Sequence, residues 1–131
     1  SVYRVGQKQR PEKATPSAVA RPLTRFIGFS THSLKEALRA EKEGADYISI
    51  GPIFRTSSKP ELKPIGLNPI RQVRDKVKIP FFAIGGINQE NVGEVIRAGA
   101  GRVAVIHAVF GAKNVKKAAE ELRRRIREAK G

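Results

Sequence analysis

Three short stretches carry the residue types that could do chemistry. They are Gly28-Phe29-Ser30-Thr31-His32-Ser33, Gly51-Pro52-Ile53-Phe54-Arg55-Thr56-Ser57-Ser58-Lys59 and Ala83-Ile84-Gly85-Gly86-Ile87. Hydroxyls and backbone amides are the natural donors to phosphate oxygens, and an ammonium such as that of Lys59 adds a point charge. Gly85-Gly86 allows a ligand close to the backbone, and the amides that follow can meet an anion. His32 has an imidazole able to exchange protons near neutral pH. Ser33 reads first as a helix cap. The cluster Thr56, Ser57, Ser58, Lys59 could equally be an ordinary polar loop, and Gly-Gly an ordinary tight turn. Their joint occurrence, with Ile106-His107-Ala108 later in the chain, favours one pocket for a phosphorylated molecule. Phosphate held between the last two strand-end loops is a recurring arrangement in parallel barrels.

Such loops need strands and helices to hold them. A short apolar run precedes each stretch and a helical pattern follows it. The pattern predicts strands over residues 25–29, 47–50, 80–84 and 102–106. Helices are expected from Ser33 to Gly44, over 68–76, from Asn88 to Ala98, and from Asn114 to about residue 129. Ser33 with Glu36 forms a capping-box pair, and Leu34, Ala37, Leu38 and Ala45 mark the first helix's apolar side. Ile70, Val73 and Val77 share a face of the second. A faint repeat, Glu43-Gly44-Ala45-Asp46-Tyr47-Ile48-Ser49-Ile50 against Ala98-Gly99-Ala100-Gly101-Arg102-Val103-Ala104-Val105, gives both units the same helix stop and strand entry. Alternating strands and helices joined by short connections give an α/β fold with a parallel sheet.

Residues 1–24 are irregular and basic, broken by Pro11, Pro16 and Pro22, with a strand end at 3–5 closed by Gly6 and a weak helix at 17–20. They read as the remnant of a preceding βα unit, and residues 25–131 as the main domain. At 131 residues the chain is short for an eight-stranded barrel, which takes about 250. Methionine is absent, even at position 1, so the chain reads as processed, trimmed or a fragment.

The formal charge is +14, from 26 basic and 12 acidic residues. Such a surface attracts nucleic acid, anionic membranes or phosphorylated small molecules. Aromatic residues are few and scattered, so there is no stacking platform and the nucleic-acid reading is the weaker one. Cysteine is absent, which excludes disulfides and thiolate metal sites and fits a cytoplasmic setting. No apolar run approaches the roughly 20 residues that span a bilayer.

Together these motifs, with Ala40–Asp46, Pro64-Ile65-Gly66-Leu67 and residues 98–110, resemble thiamine phosphate synthase and its relative, the thiazole tautomerase, over roughly residues 26–130. The resemblance implies half of a TIM (β/α)8 barrel, the C-terminal half, with Val5-Gly6-Gln7 as the end of the family's fourth strand. It implies a transferase that joins hydroxymethylpyrimidine diphosphate to thiazole phosphate and releases pyrophosphate with Mg²⁺ assistance. Ser30 would then contact the diphosphate, Lys59 would hold pyrophosphate, and Thr56, Ser58, Gly86 and Ile106 would surround the thiazole phosphate, with Gln7 on the substrate side. His107 stands where the family usually has serine, and His32 matches the tautomerase histidine. Lys8 and Gln9 replace two acids, the second a Mg²⁺ ligand, so no metal residue is assigned. The alternatives are a tautomerase-like isomerase and a non-catalytic phosphate-binding half barrel. A half barrel leaves open edges and an uncovered face, so a second copy or a missing N-terminal half is the expected partner.

Overall fold

The structure, a computed structural model, describes residues 2–5, 26–57 and 59–131; Gln7, Lys8, Gln9, Ser58 and the expected helix at 17–20 lie outside the described residues. The elements run β1 (Val2–Val5), β2 (Phe26–Thr31), α1 (Leu34–Lys42), β3 (Tyr47–Ile50), α2 (Asn68–Lys76), β4 (Phe81–Ile84), α3 (Val92–Ala98), β5 (Val103–Ala104), α4 (His107–Phe110) and α5 (Val115–Lys130). One five-stranded sheet follows chain order, β1-β2-β3-β4-β5. Strands β2 to β5 are parallel, as the alternating pattern requires. The α/β half-barrel reading therefore holds for these strand–helix units.

β1 departs from that reading. It pairs antiparallel with β2, Val2 opposite Phe29 and Val5 opposite Phe26, where a fourth barrel strand would run parallel. The edge of β2 needs a hydrogen-bonding partner, and an antiparallel one satisfies it with slightly more stable pairing.

Alternation along the strands sorts the two faces of the sheet. Ile48 and Ile50 are fully buried in a core shared with Ala37 and Ala40 of α1, Ile70 and Val73 of α2, and Val92 and Val95 of α3. Complete burial of each isoleucine is worth about 1.5–3 kcal/mol. Ser49 projects from the other side of β3, and Ser30 is its register partner on β2. Leu38, expected among the apolar positions of α1, is 39% exposed, and Ala40 takes the buried place instead. The small side chains Ala37 and Ala40 let α1 lie close to the sheet.

Element ends follow local chemistry. The repeat of helix stops is real. Gly44 and Gly99 both have positive φ, 95° and 124°. Gly44 donates to Glu41 and Ala45 to Ala40, and Gly99 donates to Ile96 and Ala100 to Val95, the paired closing bonds of a glycine-terminated helix. Ser33 caps α1 by accepting the Glu36 N–H at 3.2 Å. The reciprocal half of the expected box differs, because the Glu36 carboxylate takes the N–H of His32 at 3.1 Å. β2 extends to Thr31, whose Oγ1 donates to the Ser49 carbonyl at 2.8 Å. β5 keeps two residues of the five expected, for among the described residues it is an edge strand with one neighbour, and the chain turns at Ile106 into the unexpected one-turn α4. Regular α3 starts at Val92, although Asn88 does cap the turn before it, accepting the N–H of Asn91 at 3.0 Å. Asn114 caps α5 through the Lys117 N–H at 3.0 Å.

Candidate functional site

The carboxyl ends of β2, β3, β4 and β5 surround a cavity of about 710 Å³. Ser30, His32, Thr56, Lys59, Gly86, Ile106 and His107 all line it. Every candidate residue assigned from sequence and described here thus meets at one place; Gln7 and Ser58 lie outside the described residues. The three loops converge because β2, β3 and β4 are adjacent and parallel, so their outgoing turns share an end of the sheet.

The second and third loops are locked together. Ile53 donates to the Ile84 carbonyl and Phe54 to the Gly85 carbonyl, each at 3.0 Å, which extends strand-like pairing beyond β3 and β4. Gly85 and Gly86 have φ of 105° and 67°. A Cβ on Gly85 would lie 2.5 Å from the Pro52 Cα, and one on Gly86 would lie 2.4 Å from the Arg55 carbonyl oxygen. Both glycines are therefore required by backbone packing, whatever else their amides do. The far end of the 51–66 loop is tied back by Ile65, which donates to the Pro52 carbonyl at 2.8 Å, and Gly66, which donates to Ile53.

Side chains brace the rest. Gln89 Nε2 donates to the carbonyls of Ala108 and Ala118, fixing α4 and α5 to the glycine turn. Asn91 Nδ2 donates to the Gly86 carbonyl at 2.9 Å. His32 Nδ1 meets a Glu36 carboxylate oxygen at 3.1 Å, so its ring is held by a partner on α1. Ile106 is 62% exposed at the cavity mouth. A Cβ on Gly111 would sit 2.9 Å from His107 Nδ1, which places that imidazole along α4.

The wall is cationic. Lys59 and Arg55 line it, and among the described residues no aspartate or glutamate does. Arg55, Ser49 and Asn88 also line the cavity and were not singled out from sequence. Arg55 sits next to the hydroxyl cluster, and that spacing could have flagged it. Such a wall suits a phosphoryl group. The described part of it gives Mg²⁺, which wants oxygen ligands including carboxylates, no carboxylate to bind. No group of three His, Cys, Asp or Glu among the described residues could hold a metal ion.

Residues 3–109 match the family described as thiamine monophosphate synthase. The chain belongs to that family. It is 50% identical over 106 residues to the thiamine-phosphate synthase of Pyrococcus furiosus, an overlap of 81% of this chain and 51% of that protein. A thiamine-phosphate synthase of Chloroflexus aurantiacus is 50% identical over 111 residues, 82% of this chain and 51% of the relative. The solved thiamine phosphate pyrophosphorylase from Pyrococcus furiosus superposes with a TM-score of 0.72 at 49% identity, covering 79% of this chain and 50% of that one. The chain spans about half the length of the curated relatives it matches. Among the described residues no helix is long and apolar enough to cross a membrane.

Proposed function

We propose that this chain supplies the thiazole-phosphate half of a thiamine phosphate synthase site, a transferase site of thiamine biosynthesis. In the reaction, the pyrimidine methylene of hydroxymethylpyrimidine diphosphate separates from pyrophosphate, and the thiazole nitrogen supplies the electron pair for the new C–N bond. A catalyst for that step needs little acid–base chemistry. It needs cations around the departing diphosphate and two partners held in line. The observation that carries the reading is the convergence of Ser30, Thr56, Lys59 and Gly86 on one cavity that no carboxylate lines among the described residues. Thr56, Ser58, Gly86, Ile106 and His107 would receive the thiazole phosphate, with Ser30 and Lys59 toward pyrophosphate. His107 offers an imidazole N–H in place of a hydroxyl. Gln7 would complete the substrate side.

The described residues offer Mg²⁺ no carboxylate ligand at the cavity, so no step is assigned to it. The pyrimidine side of the site is assigned to a complementary half barrel, from a second copy or a separate segment, which would also cover the sheet face bearing Gly28, Tyr47 and Phe82. A second reading, a tautomerase-like isomerase, draws on His32 of the cavity wall, whose ring is held from behind by Glu36 of α1, since a carboxylate-oriented imidazole can carry protons.

Pyrophosphate release from both substrates with Mg²⁺ tests the synthase reading. The chain alone should stay far below an enzymatic turnover of about 1–10³ per second. Release should recover when the N-terminal half of the Pyrococcus furiosus relative is added. Full turnover by the chain alone contradicts the division of the site, and no release from the complemented mixture contradicts the synthase reading.

A further inference from the structure

The glycine turn has two carbonyls, and the scaffold takes both. The Gly85 carbonyl accepts from the Phe54 N–H at 3.0 Å. The Gly86 carbonyl accepts from Asn91 Nδ2 at 2.9 Å. In a trans peptide the C=O and the following N–H point in opposite directions. Fixing the Gly85 carbonyl therefore turns the Gly86 N–H away from the 52–55 segment. Fixing the Gly86 carbonyl turns the Ile87 N–H away from Asn91. Neither N–H meets an acceptor among the described residues. Both residues line the cavity. Two adjacent backbone N–H donors without an acceptor, on residues that line a cavity, are groups an anion can take.

Asn91 is itself held. Its Oδ1 accepts the Asn88 N–H at 2.8 Å, while the Asn88 side chain accepts the N–H groups of Glu90 and Asn91. One amide side chain thus joins the helix entry to the turn, and its outer half does nothing for the helix. We propose that Asn91 is a positioning residue that sets the Gly86–Ile87 peptide so that its N–H, with that of Gly86, faces a phosphoryl oxygen in the cavity. This rests on the reading above that the turn receives a phosphate ester.

Amide resonances of the full chain, titrated with thiazole monophosphate, test it. In the parent chain the Gly86 and Ile87 amides should move downfield as the ester binds. In Asn91→Ala the Ile87 response should disappear and the affinity should fall about tenfold, as expected for a hydrogen bond to a charged group. The Thr56 and Lys59 responses should persist in the same variant. An Asn91→Ala chain that binds as tightly and shows the parent Ile87 shift overturns the proposal and leaves the phosphate site standing. If no cavity resonance responds in the parent chain, the phosphate reading falls and this proposal with it. Should Asn91→Ala fail to fold, Asn91→Asp retains the acceptor for Asn88 and removes the donor to Gly86. Loss of the Ile87 response supports the assignment there, and an unchanged response overturns it.

Discussion

Gly85 shows how packing alone can require a glycine at the edge of a cavity. Sequence alone leaves it poised between a tight turn and an anion-binding turn. The structure shows why glycine is needed: the Pro52 backbone passes where a side chain would begin, and φ is 105°. Gly85→Ala should cost about 2–4 kcal/mol, combining left-handed strain with a clash that rigid backbone cannot relieve. Urea unfolding measures this, and a loss below half a kcal/mol would show that the 52–55 segment yields. Thr56 and Lys59 were legible because hydroxyls and an ammonium in one loop announce their chemistry. Arg55 beside them could have been read from the same spacing, whereas Asn91 could not, because its relevance depends on which carbonyl lies beside it after folding. The box between Ser33 and Glu36 was half legible, since the competing N–H of His32 lies one residue away.

At the scale of elements, patterns with a strong local cause were read correctly. The helix stops at Gly44 and Gly99 are closed by the same pair of bonds, and Ile70, Val73 and Val77 are all buried. What failed depended on neighbours rather than local sequence. Among the described residues β4 alone pairs with β5, which is short, and β1 runs antiparallel along the free edge of β2. The basic final helix illustrates a further point about charge. Arg124 and Arg125 both reach Glu121, at 2.6 Å and 2.9 Å, and Arg124 also pairs with Glu128. Hydrogen bonds from Arg124, then from Arg125, hold the Glu121 carboxyl below its usual value of 4.5. A carboxylate depressed by folding stabilises above its unfolded pKa and loses that contribution as pH falls through the lowered value. The thermal midpoint should therefore drop as pH falls below about 4.5, more in the parent chain than in Glu121→Gln. The pair is exposed, so the difference should be small and should shrink in high salt. Equal acid sensitivity in both proteins, followed by thermal unfolding across pH, would remove the network from the account.

For the whole molecule, two of the basic residues, Arg55 and Lys59, stand at one end of the sheet, where strand termini and hydroxyls meet in a cavity that no carboxylate lines among the described residues. The alternation of strands and helices made the α/β class legible, since every helical pattern follows an apolar run. The convergence of loops was inferred from parallel topology and is now seen. The face that another half barrel would cover follows from topology as well, whereas its occupant does not. The central claim is that the turns after β2, β3 and β4 gather a phosphate ester. Calorimetric titration of the chain with thiazole monophosphate tests it most directly. The account predicts a single site with affinity between roughly micromolar and millimolar, weakened about tenfold by Lys59→Ala and weakened by added salt. Absence of heat, or binding that neither Lys59→Ala nor salt disturbs, would contradict it.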